Sequence, residues 1–459
     1  MENVKNKVLG YLPNDKPTLF RTILLGLQHV LTMFPATVLV ALLVGFHVST
    51  VLLASGLATL VALLLSRWKI GKFIPLYYGS SFSYIAAIKA ITNVSFGQLA
   101  PDELIRVAQA GIMVTGLVNI LIGLVISKFG GRKVIDKVLP PIVTGSVACV
   151  IGFALGFSAL GMVTGNCCGL NGDPMWLIAG TITLVSTILF SVYLQGRGFI
   201  GMLPILLGAV VGYVVSIPLG LVDFSAITTA ETFVKPHITL PLFTGSMSMT
   251  AITSIAVMAI ATVPESTAHL YQISLYVDKL AQKLGKKKYN LKKHVGFNLI
   301  LDGLGDAING LLGGVAGTNY GENNSLMAIT QNYSGATLIA ASIFAILMSF
   351  SGTLAGIVYS IPTAVSGGLA IYLFGVIGMQ GIALMSHEKV SMFDPRNLAI
   401  GATIFIVGIG GHIGFPDGFL PIPLLQKVFP NGWPAIATAA VLGILLNLIF
   451  IIFPTKSVE

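Results

Sequence analysis

Residues 77–88 read YYGSSFSYIAAI and residues 319–329 read NYGENNSLMAI. Each carries Tyr-Gly, then two polar residues, then a short apolar stretch that ends in Ala-Ile. Both are too polar and too short for plain spanning helices. The stretches leading into them, FIPLYYGS (73–80) and GVAGTNYG (314–321), are rich in Gly, Pro, Thr and aromatic residues. They predict extended chain that runs into a half-helix. Extended backbone at membrane depth survives only where protein buries it or where it lines a cavity. Each half-helix would then turn its free N–H groups and partial positive charge toward the other, making a polar site mid-bilayer.

The surroundings of these two segments decide the class. The 459-residue chain is 55% hydrophobic and only 9% charged, where a soluble domain carries about 25% charge. Apolar runs at 22–46, 49–66, 107–127, 174–194, 199–222, 336–357 and 434–453 approach or exceed the roughly 20 residues that cross a bilayer as a helix. The fold class is an all-α polytopic membrane protein. Its net charge of +9 reads as a basic cytoplasmic rim and not as a nucleic-acid surface. The first 18 residues are polar and basic and lack the apolar run of a cleavable signal. The three cysteines, Cys149 and the adjacent Cys167 and Cys168, form no disulfide framework.

Fourteen segments account best for the basic residues: 19–46, 49–66, 73–92, 104–127, 138–160, 174–194, 199–222, 248–274, 295–312, 315–332, 336–356, 358–384, 397–412 and 434–453. With the N-terminus inside, only Lys89, Arg106, Lys235 and Lys427 fall outside the inner segments, out of 26 Lys and Arg. Both ends are then cytoplasmic. The two related segments become the third of each set of seven. Seven is odd, so the halves enter from opposite sides, as in inverted-repeat transporters. The basic stretch KLAQKLGKKKYNLKKH (279–294) reads as an orientation anchor, with lipid binding or regulation as the alternative.

Ionisable residues inside spans are rare and usually functional. Here they are His29, Glu265, His269, Asp302, Asp306 and Glu322. Glu322 opens the half-helix of segment 10; it is either a ligand acceptor or a simple cap. Glu265 and His269 stand i, i+4 on one helix face, beside Pro264, which is expected to disturb the helix there. An imidazole and a carboxylate so placed can exchange a proton; a structural hydrogen-bond pair is the alternative. The motif is not HExxH and no cysteine cluster accompanies it, so no metal ligand is assigned. His29 fits a packed histidine or a site residue equally, and Asp302 and Asp306 fit structural or coupling roles. No Walker loop, GxSxG or strand-borne GxGxxG appears, so no enzyme and no cofactor are expected.

ATVPESTAHL (261–270), GTNYGENNSLMAIT (317–330) and GSSFSY (79–84) resemble the nucleobase–ascorbate transporter family, most closely its bacterial uracil permeases. The resemblance runs from LQHVLTMFPATVLV to IYLFGVIGMQGI. In the family signature Ser325 replaces a usual Gly, and Gln331 a usual basic residue or Gly. The resemblance implies two inverted sevens, a dimer and elevator-like movement. It implies a core domain at 19–128 and 248–357 and a gate domain at 129–247 and 358–453, with cytoplasmic tails at 1–18 and 454–459. Glu322 at the signature's first place and the Glu265-x-x-x-His269 pattern look like the uracil branch, whereas Asp302-Gly303 looks like purine carriers. The implied substrate site is Glu265, Glu322, Phe82, Gly321, Tyr320 and Ser81, and the implied ion-coupling set is His269, Glu265, His29 and Asp302.

The chemistry suits such a ligand. Uracil offers two N–H donors and two carbonyl acceptors on a flat ring. Glu265 and Glu322 can accept from the N–H groups, backbone N–H groups near Phe82 and Gly321 can donate, and Phe82 or Tyr320 can stack. Purine transport, with proton or sodium coupling, is the alternative; an anion carrier of the related sulfate-transporter fold is a further one.

Overall fold

The computed structural model describes residues 10–129, 132–170, 172–194, 197, 200–423, 429 and 432–453. Lys5 and Lys7 of the amino-terminal tail, Lys427, and the 454–459 tail with Lys456 lie outside the described residues. The chain opens with α1 (Leu19–Val44) and α2 (Val48–Ile70), joined through Gly45 at φ 75°, a conformation that costs glycine little. Next come β1 (Tyr78–Ser80), a 3-10 turn (Phe82–Tyr84), α3 (Ile85–Thr92), α4 (Asp102–Phe129), α5 (Arg132–Val138), α6 (Pro141–Ala154) and α7 (Gly156–Thr164). The first half closes with α8 (Pro174–Tyr193), α9 (Pro204–Ser216) and α10 (Ser225–Thr228). The second half runs through α11 (Ser246–Ala256), α12 (Ala259–Lys283), α13 (Val295–Leu312), β2 (Gly317–Asn319), α14 (Gly321–Thr330), α15 (Gly335–Met348) and α16 (Gly352–Tyr359). It ends with α17 (Thr363–His387), α18 (Pro395–Phe405), a π-helical stretch (Ile406–Gly410), α19 (Gly411–Gly414), the short strands β3 (Phe419–Leu420) and β4 (Trp433–Pro434), and α20 (Ala435–Ile452). Among the described residues, nine helical stretches are long and apolar enough to cross a bilayer.

Three sequence boundaries shift, each for a local reason. The apolar run at 199–222 yields a helix of only 13 residues, α9. Pro204 fixes its first turn, and Pro218 with the left-handed Gly220 stops it from continuing. The run at 248–274 divides into α11 and α12 at Val257–Met258, upstream of Pro264. At the break the backbone bonds tighten to three-residue spacing, Met258 N–H to the Ile255 carbonyl at 3.0 Å and Ile260 N–H to the Val257 carbonyl at 3.1 Å, while α12 accommodates Pro264 in its second turn. α12 then continues to Lys283, taking the first lysines of the basic stretch into the helix. Segment 336–356 divides at Ser349–Ser351, where the Ser351 hydroxyl accepts from the Leu354 N–H at 3.2 Å and starts α16.

Helix packing falls into two main groups. One gathers α1, α2, α4, α11, α13 and α15; the other gathers α6, α7, α8, α9, α17, α18 and α20. Glycine sets the closest approach in each. A Cβ on Gly116 of α4 would lie 2.5 Å from the Gly303 carbonyl oxygen of α13, and one on Gly152 of α6 would lie 2.4 Å from the Gly378 nitrogen of α17. Without a hydrophobic drive between helices in lipid, such contact is what holds them together.

Between the groups lies the non-helical crossing. β1 and β2 pair antiparallel with Tyr78 opposite Asn319, Gly79 opposite Thr318 and Ser80 opposite Gly317. The ladder is extended by Tyr320 N–H to the Tyr77 carbonyl at 2.8 Å and Ser81 N–H to the Ala316 carbonyl at 3.0 Å. Strand edges cannot be left bare away from water, and side chains of neighbouring helices cover them. On α2, Ser55 donates to the Tyr78 carbonyl at 2.7 Å, and Thr59 accepts from the Tyr78 N–H at 3.0 Å. On α13, Asp306 accepts from the Gly317 N–H at 2.8 Å.

Candidate functional site

Each strand of the crossing delivers the chain to the start of a helix. Past β1, Ser81 caps the turn that begins at Phe82, its hydroxyl accepting from the Ser83 N–H at 3.2 Å. Past β2, α14 starts at Gly321 with Tyr320 as its capping residue and with no side-chain cap, and Glu322 stands in its first turn. Tyr320 itself therefore takes none of the first N–H groups of α14, and the end of the helix keeps its partial positive charge.

A cavity of about 830 Å³ opens against these two starts. Its inner wall includes Ser81, Phe82, Glu265, His269, Tyr320, Gly321, Glu322 and Gln380. It extends along α12 and α17 to Lys279, Lys288, Lys292 and Glu388. One end is thus polar and acidic, and the other is rimmed by the basic stretch.

Glu265 is 9% exposed. The Ser81 and Ser83 hydroxyls both donate to its Oε2 at 3.2 Å, which leaves Oε1 without a protein hydrogen bond among the described residues. Glu322 lies on the same wall. His269 lines the cavity one helical turn from Glu265. No hydrogen bond joins the two among the described residues, and His269 Nδ1 is buried without a partner.

The aromatic pair of the site divides its work. The Phe82 ring, 3% exposed, meets Phe374 of α17 edge-on at 5.1 Å and 81°. That contact joins the crossing to the second helix group. The Tyr320 hydroxyl is committed to the scaffold: it donates to the Ser80 carbonyl at 3.0 Å and lies 2.9 Å from Thr37 Oγ1. Its ring stacks on Tyr77 at 6.5 Å between centroids and 21° between planes.

The other ionisable residues stand behind this wall. Asp302 Oδ2 accepts from Ser266 and, at 3.2 Å, from the Asn319 side chain. Asp306 accepts from the Tyr78 hydroxyl at 2.6 Å and from Asn119 at 3.0 Å, besides the Gly317 N–H. Both aspartates hold the crossing strands to α13. His29 Nδ1 lies 3.1 Å from the Asn323 side chain, which also donates to the His29 carbonyl. His29 thereby ties α1 to α14, and it is not on the cavity wall. Asn324 completes the anchorage by donating to the His269 carbonyl at 3.2 Å.

Gln380 of α17 was not singled out from the sequence. It approaches Gly321 so closely that a Cβ there would lie 2.9 Å from Gln380 Oε1 and 3.0 Å from His269 Nε2. The signal was an amide in the otherwise apolar GVIGMQGI, which reads no differently from a helix-packing residue.

Comparison with known proteins agrees with this architecture. The model of the Permease family matches residues 20–416. A uracil permease of Bacillus caldolyticus is 36% identical over 95% of this chain and 93% of its own length. A uracil permease of Escherichia coli strain K12 is 33% identical over 95% and 93%, and a putative pyrimidine permease of the same strain, RutG, is 32% identical over 89% and 87%. Among solved structures, the transmembrane domain of a cyanobacterial bicarbonate transporter, BicA, superposes with a TM-score of 0.56 at 14% identity, covering 95% of this chain and 98% of that one. SLC26A9 gives 0.65 at 13% identity, covering 95% and 66%; at such identities the likeness is one of fold. With this family match and, among the described residues, nine helical stretches long and apolar enough to cross a bilayer, this chain belongs to the Permease family and is a multi-pass membrane transporter.

Proposed function

We propose that this chain imports a nucleobase, uracil in preference to purines, by proton symport with elevator-type alternating access. The observation that carries the substrate reading is the convergence of Glu265 and Glu322, from different elements, on one cavity wall beside the uncapped start of α14. Two carboxylates present acceptors to two ring N–H groups, the start of α14 presents donors to a carbonyl, and Phe82 and Tyr320 flank a flat ring. Relatives named for uracil and pyrimidine transport support the same choice. The purine-like Asp302-Gly303 is a weaker cue, because Asp302 is engaged with Ser266 and Asn319 behind the wall.

His269 is proposed to pass the coupling proton to and from Glu265. The two main packing groups of helices support a core at 19–128 and 248–357 that moves against a gate at 129–247 and 358–453. In this reading fourteen segments form two inverted sevens, both tails are cytoplasmic, and the protein works as a dimer in the bacterial inner membrane. The cavity, which reaches the basic stretch, is then the inward-open half of the cycle.

Uptake of labelled uracil and of labelled xanthine into vesicles, for wild type and His269→Ala, with and without a proton ionophore, tests this. Uracil should accumulate, the ionophore should abolish accumulation, and His269→Ala should lose accumulation more than binding. Xanthine preference, dependence on sodium alone, or normal accumulation by His269→Ala would overturn the corresponding part.

A further inference from the structure

On the face opposite the basic stretch, three segments bring together ligands that the transport site does not use. His47 closes the α1–α2 link as the residue before α2. Asp102 is the first residue of α4. His237 lies in the strap of chain between α10 and α11. One ligand atom from each, a ring nitrogen of either histidine and a carboxylate oxygen of Asp102, lie within 4.8 Å of one another. His237 Nε2 is 2.9 Å from Asp102 Oδ2 and 3.0 Å from Oδ1, and the His47 and His237 rings are 4.5 Å apart, centroid to centroid.

We infer that His47, Asp102 and His237 form an external binding site for a divalent transition metal, Zn²⁺ first among them. Two imidazoles and one carboxylate are a borderline donor set that suits Zn²⁺ better than Mg²⁺ or Ca²⁺, which take oxygen ligands. At Zn–N and Zn–O distances of about 2.0–2.2 Å, tetrahedral ligand atoms stand roughly 3.4 Å apart. The present spacing brackets that value, from 2.9 Å between His237 Nε2 and Asp102 Oδ2 to the 4.8 Å limit of the set. Water can fill the fourth position, because His237 and Asp102 are 46% and 55% exposed.

The backbone that carries these ligands is already fixed. Thr50 donates to the His237 carbonyl at 2.7 Å. Two residues on, Thr239 exchanges hydrogen bonds with Gln109 of α4 at 2.6 and 2.7 Å. The Leu242 N–H donates to the Arg106 carbonyl at 2.8 Å. The strap is therefore held to α2 and α4 along its length, and a metal would pin it a further time, through side chains. A plain His237–Asp102 ion pair would explain one contact, but not the placement of His47 against both.

Calorimetric titration of Zn²⁺ into the full chain, purified without tag histidines and stripped with a chelator, tests the site. Wild type should bind one Zn²⁺ per chain and show a raised thermal midpoint. His47→Gln and His237→Gln should each weaken binding by more than the roughly 10–100-fold that losing an outer-shell partner costs, and Asp102→Asn should also weaken it. Co²⁺ should give visible absorption in wild type that is lost in His237→Gln. If His237→Gln lowers the metal-free midpoint, His47→Gln decides. Absence of saturable binding, or stoichiometric binding that persists in both histidine variants, as it would if the metal sat on the exposed Cys167 and Cys168, overturns the proposal.

Discussion

Glu322 and Gly321 are adjacent in sequence and answer different questions about the ligand. Glutamate only accepts hydrogen bonds, whereas glutamine also donates. Glu322→Gln should weaken uracil binding by about 1.5–3 kcal/mol, the worth of a charge-assisted hydrogen bond, and should weaken xanthine binding less. Titration of both ligands against both proteins measures the difference; equal small losses would make Glu322 a structural group. Gly321→Ala probes space. Its new methyl would meet Gln380 Oε1 and His269 Nε2 at 2.9 and 3.0 Å, the far ends of side chains that can give way. The fold should survive with an unchanged thermal midpoint, while uracil affinity falls roughly tenfold or more, the scale of one misplaced carbon in a pocket. At this scale the sequence was informative where charge interrupts apolar sequence: Glu265, His269 and Glu322 stand out and do share the cavity wall. Gln380 and Phe374 were not legible, because an amide or a phenyl ring in a spanning helix carries no mark until its neighbours are known.

At the scale of elements, the aspartates of α13 are the fasteners of the strand crossing. Asp306 serves three donors at once: Tyr78, Asn119 and the Gly317 backbone. Asp306→Asn keeps the shape but puts an NH₂ where one oxygen accepted. At least one buried donor is left unsatisfied, at about 1–3 kcal/mol each. The variant should unfold earlier in detergent on a thermal ramp, yet keep the uracil-to-xanthine affinity ratio; a changed ratio with unchanged stability would move Asp306 into the substrate site. The extended stretches themselves were legible, since Gly, Pro and Thr before Tyr-Gly cannot continue a helix cheaply. That the two stretches face each other is read from their shared pattern; their strand pairing and their fasteners are not, because nothing local to FIPLYYGS names Thr59 or Asp306. The sequence alone predicts 248–274 as one span with a disturbance expected at Pro264, whereas α12 runs through Pro264 and the break between α11 and α12 lies at Val257–Met258.

For the whole molecule, the direction in which the cavity opens is a statement about sidedness. Cys167 and Cys168 are exposed in the link between α7 and α8, the outer face by the charge count, while Leu275 lines the cavity that reaches the basic stretch. A membrane-impermeant maleimide should label the native cysteines in right-side-out vesicles. In a variant with Cys167 and Cys168 replaced by serine, Leu275→Cys should be labelled in inside-out vesicles only, and uracil should slow the reaction. Labelling from the opposite side would reverse the topology. The expected sidedness comes from Lys and Arg positions; the shape of the cavity has no such sequence mark, because it depends on how two helix groups meet. The strand crossing has a consequence for the birth of the protein. Ser80 and Tyr320, joined across it, are 240 positions apart. At about 5–20 residues per second of synthesis, the first strand waits roughly ten to fifty seconds in the membrane for its partner. During that interval the amino-terminal half holds a backbone edge that only the later half can pair. A chain truncated before residue 317 should therefore be a preferred target of membrane quality control, while its individual helices are already inserted.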